Sequence, residues 1–361
     1  MPKINVLDKK TAELIAAGEV IERPSSVVKE LVENSIDSGA TVVTVEIRSG
    51  GVRLIRVTDN GCGIDKEDMG KAFLRHATSK VANEDDLYRI GTLGFRGEAL
   101  ASVCAVSHVE LLSRTAESEL GYSYKIDGGE ETSINEAGCP RGTTIYVRDL
   151  FYNIPARMKF LKKDVTEGNA IATLLDRLAL SHPEVSLRFI REGKPMLQTS
   201  GDGKLLSAIY AVYGKEFGTG LIPVKSTGGT VEISGYIVRP ESAKATRTME
   251  HFFINDRYVR SVTVMTALEQ AYKNSLMTGK FPGCVLHISL PLGMVDVNVH
   301  PAKLEVKLTD EKLVFDAVYL ACKGALSTME QTIHASDTAG KSLRTKLNYF
   351  DITNKPLGGE Q

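Results

Sequence analysis

The sequence predicts an α/β protein of two domains, on three observations. Residues 24–37 show helical periodicity, with Val27, Val28, Leu31, Val32 and Ile36 on one side. Val43, Val45 and Ile47 then alternate with Thr44, Glu46 and Arg48, the period of a half-buried strand. Finally, the 361-residue chain is interrupted at Gly201-Asp202-Gly203, after which helix and strand patterns begin again.

Composition narrows the class. At 42% hydrophobic and 25% charged residues, the chain has the makeup of a soluble globular protein rather than a disordered one. No apolar run approaches a membrane span, and the opening Met1-Pro2-Lys3-Ile4-Asn5-Val6 is not a signal peptide. The five cysteines are scattered and form no C-x-x-C pair, which points to reduced thiols in a cytoplasm. The net charge of −1 neither requires nor excludes nucleic acid.

The elements follow in order. A helix is expected over 11–22. The next begins at Pro24, whose missing N–H costs little in a first turn. Strands over 43–47 and 52–58 form a hairpin about Ser49-Gly50-Gly51. A helix is expected over 66–75, then a glycine-rich loop from Gly91 to Gly97 leading into a helix over 98–103. Strands over 109–113, 121–126 and 143–148 come next, then a helix over 169–180 and a strand over 186–191. Past the break, the pattern gives helices over 205–213, 262–274 and 311–330, and strands over 230–238, 251–254 and 284–290. The expected domains are therefore 1–203 and 204–331, and the polar, aperiodic residues 332–361 read as a tail or linker.

Four constellations carry chemistry. On the helix over 24–37, at about 100° per residue with Glu30 at 0°, Asn34 falls near 40°, Asp37 near −20° and Glu33 near −60°. A carboxylate and an amide one turn apart can hold a water and a metal ion over a phosphate, although most acidic helix faces are merely solvated. Asp59-Asn60-Gly61-Cys62-Gly63-Ile64 ends a strand with a carboxylate able to accept from the amine of a base; alone it is also an ordinary Asx turn. Gly91-Thr92-Leu93-Gly94-Phe95-Arg96-Gly97 opens a helix and can wrap backbone N–H groups around phosphate oxygens, with Lys80 and Arg96 adding charge. Its spacing is not that of a dinucleotide fold. Gly142-Thr143-Thr144 puts the Thr143 hydroxyl in range of a base. The fourth constellation, Val295 to Lys303, is a strand and a proline turn that projects Lys303 towards a terminal phosphate. Ala335-Ser336-Asp337-Thr338-Ala339-Gly340-Lys341-Ser342 mimics a phosphate loop, but it follows a helix and not a strand. The seven histidines show no zinc-ligand spacing.

Six blocks together resemble the MutL family of DNA mismatch repair proteins. They are Glu30-Leu31-Val32-Glu33-Asn34-Ser35-Ile36-Asp37-Ser38-Gly39-Ala40, Asp59-Asn60-Gly61-Cys62-Gly63-Ile64, His76-Ala77-Thr78-Ser79-Lys80, Gly94-Phe95-Arg96-Gly97-Glu98-Ala99-Leu100, Leu150-Phe151-Tyr152-Asn153-Ile154-Pro155-Ala156-Arg157-Met158-Lys159-Phe160-Leu161 and Asn298-Val299-His300-Pro301-Ala302-Lys303. The first two are shared with the wider superfamily of gyrase, Hsp90 and histidine-kinase ATPases; the later ones are more specific to MutL. The resemblance implies a Bergerat-type ATPase sandwich followed by a second α/β domain with a left-handed βαβ crossover, against the usual handedness. It implies ATP and magnesium as ligands. Glu30 would be the general base and Asn34 the magnesium ligand. Asp59 would bind the adenine amine, with Gly63 beside it. Lys80, Gly94, Phe95, Arg96 and Gly97 would serve the phosphates, and Lys303 the γ-phosphate from the second domain.

The same resemblance implies a nucleotide-switched clamp that couples mismatch detection by MutS to downstream repair. MutL chains usually continue to a C-terminal dimerisation domain, an endonuclease in many members. Nothing beyond Gln331 reads as that domain, so the expectation is ATP-dependent association of the N-terminal regions without nicking. Local excess of base marks DNA candidates: Arg157 and Lys159 within residues 141–164, and Arg257 and Arg260 within residues 239–260. Phosphate contact of that kind is nonspecific and salt-sensitive. A second reading is a non-catalytic, ATP-switched interaction module, separated from the first by binding without hydrolysis.

Overall fold

The structure is a computed structural model. It describes residues 6, 8–78, 80, 93–94, 97–218, 220–227, 229–296, 306–329 and 331. Phe95, Arg96, Lys303 and the 332–361 tail, with its phosphate-loop mimic, lie outside these.

The chain forms two units. One comprises residues 1–219 with 253–260 and 291–309; the other comprises 220–252, 261–290 and 310–361. The first unit thus runs past the expected break at 203. Its helix after the break packs on the long helix before it.

In chain order the elements are α1 (Lys9–Val20), α2 (Pro24–Asp37), β1 (Val42–Arg48), β2 (Leu54–Asp59), α3 (Lys66–Met69), α4 (Ala99–Ala105), β3 (His108–Arg114), β4 (Gly121–Asp127), β5 (Glu130–Ala137) and β6 (Gly142–Arg148). They continue as α5 (Pro155–Phe160), α6 (Asp164–Ser181), β7 (Ser186–Arg191), β8 (Lys194–Gln198), α7 (Leu205–Tyr213), α8 (Lys215–Gly218), β9 (Leu221–Ser226) and β10 (Glu232–Val238). Last come β11 (Glu250–Ile254), β12 (Arg257–Val259), α9 (Val262–Ala271), β13 (Cys284–Ser289), β14 (Val295–Asp296), β15 (Lys307–Leu308) and a helix over 311–329, α10.

The main sheet has eight strands in the order β5-β4-β3-β6-β2-β1-β7-β8. Its β1–β7 pair is parallel, and the other pairs are antiparallel. Along β3, Val109, Leu111 and Ser113 are buried while their neighbours are half-exposed, the alternation of a sheet covered on one face. The cover includes α2, which packs on β1, β2 and α6. Val27, Val28, Leu31 and Val32 are each at most 1% exposed, so the predicted apolar side of α2 is the packed side.

Five of the described strands escaped the sequence: β5, β8, β9, β12 and β15. β5 carries Glu-Glu-Thr-Ser-Ile-Asn-Glu-Ala at the sheet edge and is largely exposed, so it has no buried face to create alternation. β8, at the other edge, and β9, at the edge of the smaller sheet, were also missed. The helix expected over 66–75 ends at Met69 because Gly70 follows; a short 3-10 turn over Lys71–Phe73 takes its place.

The smaller sheet runs β12-β11-β13-β10-β9. In the second unit, Tyr272 is fully buried and its hydroxyl donates to the Val238 carbonyl. None of the five cysteines forms a disulfide, and burial pushes the Cys284 and Cys322 thiols up, the latter to about 12. Among the described residues no helix is long and apolar enough to cross a membrane.

Glu250 is 6% exposed, and its Oε1 has no hydrogen-bond partner. Burial, then the nearby Glu269 carboxylate, raises its carboxyl from 4.5 to about 7, with Arg247 opposing. Between those two values the folded chain holds a proton that the unfolded chain has released. Stability from this residue is therefore greatest below pH 4.5 and is lost as pH rises through 7. Glu250→Gln should raise stability at pH 8 by on the order of 2 kcal/mol and flatten the slope between pH 5 and 8, measured by urea unfolding.

Candidate nucleotide site

The site is built at the end of β2, where the strand meets α2. Asp59 is the last residue of β2, opposite Val43 of β1. Its Oδ2 accepts from the Ser35 hydroxyl of α2 at 2.7 Å. Its Oδ1 accepts from the Gly61 amide at 2.9 Å and the Thr143 amide at 3.1 Å. Burial pushes the Asp59 carboxyl up against these hydrogen bonds, and the net direction is upward. The sequence suggested the Thr143 hydroxyl for this corner; the structure uses its backbone N–H, while the hydroxyl lies 3.1 Å from Ser113 Oγ.

Two glycines allow this packing. Gly63 has φ +80°, and a Cβ there would overlap the Arg114 carbonyl oxygen. Gly142 has φ +109°, and a Cβ there would overlap the Asp59 carbonyl oxygen. No L side chain fits either position without moving backbone.

The polar face of α2 runs on from Ser35. Asn34 Oδ1 accepts from Lys80 Nζ at 2.8 Å, and Asp37 Oδ2 lies 2.6 Å from the same nitrogen. Asp37 also accepts from the amides of Leu93 at 3.0 Å and Gly94 at 3.1 Å. Glu33 pairs with Lys29 at 2.9 Å, and Lys29 lies 3.5 Å from Glu30. From sequence alone, Glu33 and Asp37 have no identified partner. Both are in fact engaged, and the Asp37 side chain is only 7% exposed. The signal was present: Asp37 shares the wheel sector of Glu30 and Asn34.

The other candidates divide. Gly97, with φ +61°, accepts from the His76 amide at 3.1 Å, which ties the His76-Ala77-Thr78 segment to the start of α4. Arg157 is half-buried, and its guanidinium donates to the Gly18 carbonyl of α1, so it holds the fold together. Arg257 is half-buried beside Glu33, Asp37 and Glu30, whose charges favour its cationic form while burial lowers its pKa. It faces the carboxylates of α2, a role that its place in a basic cluster did not suggest. Lys159 and Arg260 are exposed.

Magnesium fits the donor set. Asn34 Oδ1 is a neutral hard oxygen whose lone pair already faces a cation, the Lys80 ammonium. Magnesium characteristically takes one or two such protein oxygens together with substrate phosphates. Among the described residues no cluster of three or more His, Cys, Asp or Glu could hold a metal without a ligand's help.

Known proteins resemble this chain in sequence and in fold. Residues 21–137 match a family described as histidine kinase-, DNA gyrase B- and HSP90-like ATPase, and residues 209–327 match one described as DNA mismatch repair protein, C-terminal domain. The solved ATPase domain of an Aquifex aeolicus MutL mutant is 30% identical with a TM-score of 0.60, the match covering 84% of this chain and 99% of that one. The chain belongs to the MutL family. The Aquifex aeolicus MutL ATPase domain complexed with ADP is 29% identical with a TM-score of 0.61, over 83% of this chain and 98% of that one. The MutL of Agathobacter rectalis is 46% identical over 323 residues, which are 88% of this chain and 50% of that protein. The chain thus spans about half the length of the curated MutL relatives it matches.

The structure separates the two basic residues of α5. Arg157→Ala should lower the unfolding free energy by about 1 kcal/mol, the net worth of one lost charged hydrogen bond, while Lys159→Ala should leave it unchanged. Thermal unfolding of both variants checks this.

Proposed function

We propose that this chain binds and hydrolyses ATP and uses the nucleotide state to switch a mismatch-repair clamp. The observation that carries the reading is the Asp59 corner. A carboxylate has about four lone-pair directions. Ser35, Gly61 and Thr143 use three of them, which leaves one acceptor position for the amine of adenine.

Around that anchor the roles follow from placement on α2. Glu30 lies one turn before Asn34 and acts as general base on the attacking water. Asn34 supplies an oxygen to magnesium without adding negative charge. Magnesium, if held there, would supply neutralisation of the negative charge that develops on the phosphates. Lys80, Gly94 and Gly97 serve the phosphates, as do Phe95, Arg96 and Lys303 on this reading. Phosphoryl transfer of this kind needs positioning and charge more than covalent chemistry, and a helix fixed at both ends supplies positioning.

The partners of the clamp are DNA, bound through exposed cations such as Lys159 and Arg260, the mismatch-recognition protein MutS, and a second copy of this chain joined on ATP binding. The site of action is the cytoplasm.

Glu30→Ala should bind a non-hydrolysable ATP analogue like the parent chain but release no phosphate from ATP. Normal turnover in that variant removes the assignment of the base. Sedimentation of the same protein with the analogue should show a dimer, and DNA should cosediment at low salt but not at high salt. Absence of the analogue-dependent dimer removes the clamp.

A further inference from the structure

We propose that Asp37 is the positioning residue for the phosphate end of this site, holding the Lys80 ammonium and two backbone amides in place beside Asn34. The inference rests on the nucleotide reading above and adds a residue to which that reading gave no role.

The donors that converge on Asp37 are of one chemical kind. Lys80 Nζ approaches Oδ2 at 2.6 Å, the Gly94 amide approaches Oδ2 at 3.1 Å, and the Leu93 amide approaches Oδ1 at 3.0 Å. The two amide hydrogens are spent on Asp37 and fix the Leu93-Gly94 backbone, whereas the Lys80 ammonium, with one hydrogen towards Asp37 and one towards Asn34, keeps a third for a phosphate oxygen. Left alone they would be poorly ordered, because a lysine carries about 2 kcal/mol of rotamer entropy on its four-carbon stem. Here they are fixed before any ligand arrives, and fixing them in advance lowers the cost of binding.

Position on the helix makes the arrangement specific. Lys80 Nζ also donates to Asn34 Oδ1 at 2.8 Å, so Asp37 sets where the lysine meets the proposed metal ligand. Gly94 closes over the pair: a Cβ there would lie 3.2 Å from Lys80 Nζ and 3.5 Å from Asn34 Oδ1. The Asp37 side chain is 7% exposed and that of Lys80 19%, so this ion pair is not a screened surface contact. A single carboxylate thus ties α2, which bears Glu30 and Asn34, to Lys80 on one side and to the Leu93-Gly94 backbone on the other.

The test compares two ligands that share the base but not the phosphates. Wild type and Asp37→Asn are titrated with a non-hydrolysable ATP analogue in magnesium and, separately, with adenosine. In the variant one carboxylate oxygen becomes an NH2 group, which cannot accept from Lys80. Analogue affinity should fall about tenfold, the effect of losing one charge-assisted contact, and adenosine affinity should not change. Unchanged analogue affinity overturns the proposal, and so does an equal loss for both ligands, which marks a purely structural residue. Should Asp37→Asn fail to fold, Asp37→Glu, which keeps the charge but displaces it by one methylene, must give the same split between ligands. If wild type and variant bind the analogue with equal affinity, Asp37 alone is misassigned. If wild type binds neither ligand, the nucleotide reading falls and this proposal with it.

Discussion

The hydrogen bond between the Ser35 hydroxyl and the Asp59 carboxylate is the contact on which the site depends. It joins the last turn of α2 to the end of a central strand, and it does so at a partly buried carboxylate. Burial disfavours the charge on Asp59, so the charge persists only with donors around it. The Gly61 and Thr143 amides supply two more, and Thr143 can do so only because Gly142 brings β6 against the Asp59 backbone. Helix, two strands and a glycine turn are thereby held in one geometry.

The polar face of α2 extends that constraint by charge balance. Glu30, Glu33 and Asp37 would repel one another if they were merely packed. Lys29 sits between Glu30 and Glu33, Lys80 sits on Asp37, and Arg257 faces all three carboxylates. The helix can therefore carry a concentrated acidic face in a half-buried place, which is where a base and a metal ligand are useful. Glu30 and Asn34 are presented from a rigid element, with the apolar side of the same helix buried against the sheet and α6.

Much of this was legible in the sequence, and for physical reasons. The apolar stripe of α2 and the alternation of β1 reflect one-sided burial, and the packed faces are the predicted ones. The place of Asp59 at a strand end, with Gly63 beside it, was also readable. Partners were harder. Asp37 is far in sequence from Lys80 and Leu93, and no local rule links them. Arg157 and Arg257 look like surface cations in a count of charge, yet one donates to a helix-end carbonyl and the other faces α2. The edge strand β5 left no signal because an edge has little to bury. The first unit takes in α7 and two later segments because spatial packing, and not chain order, defines it.

The central claim is that Asp59 reads the amine of adenine with the one acceptor position that Ser35, Gly61 and Thr143 leave open. The most direct measurement is the affinity of the chain for ATP against inosine triphosphate, which carries a carbonyl where adenine has its amine. A carbonyl oxygen facing the carboxylate loses the hydrogen bond and adds repulsion. The account predicts binding of inosine triphosphate at least about tenfold weaker than ATP, a difference abolished by Asp59→Asn. Equal affinity of the unaltered chain for the two nucleotides would contradict it.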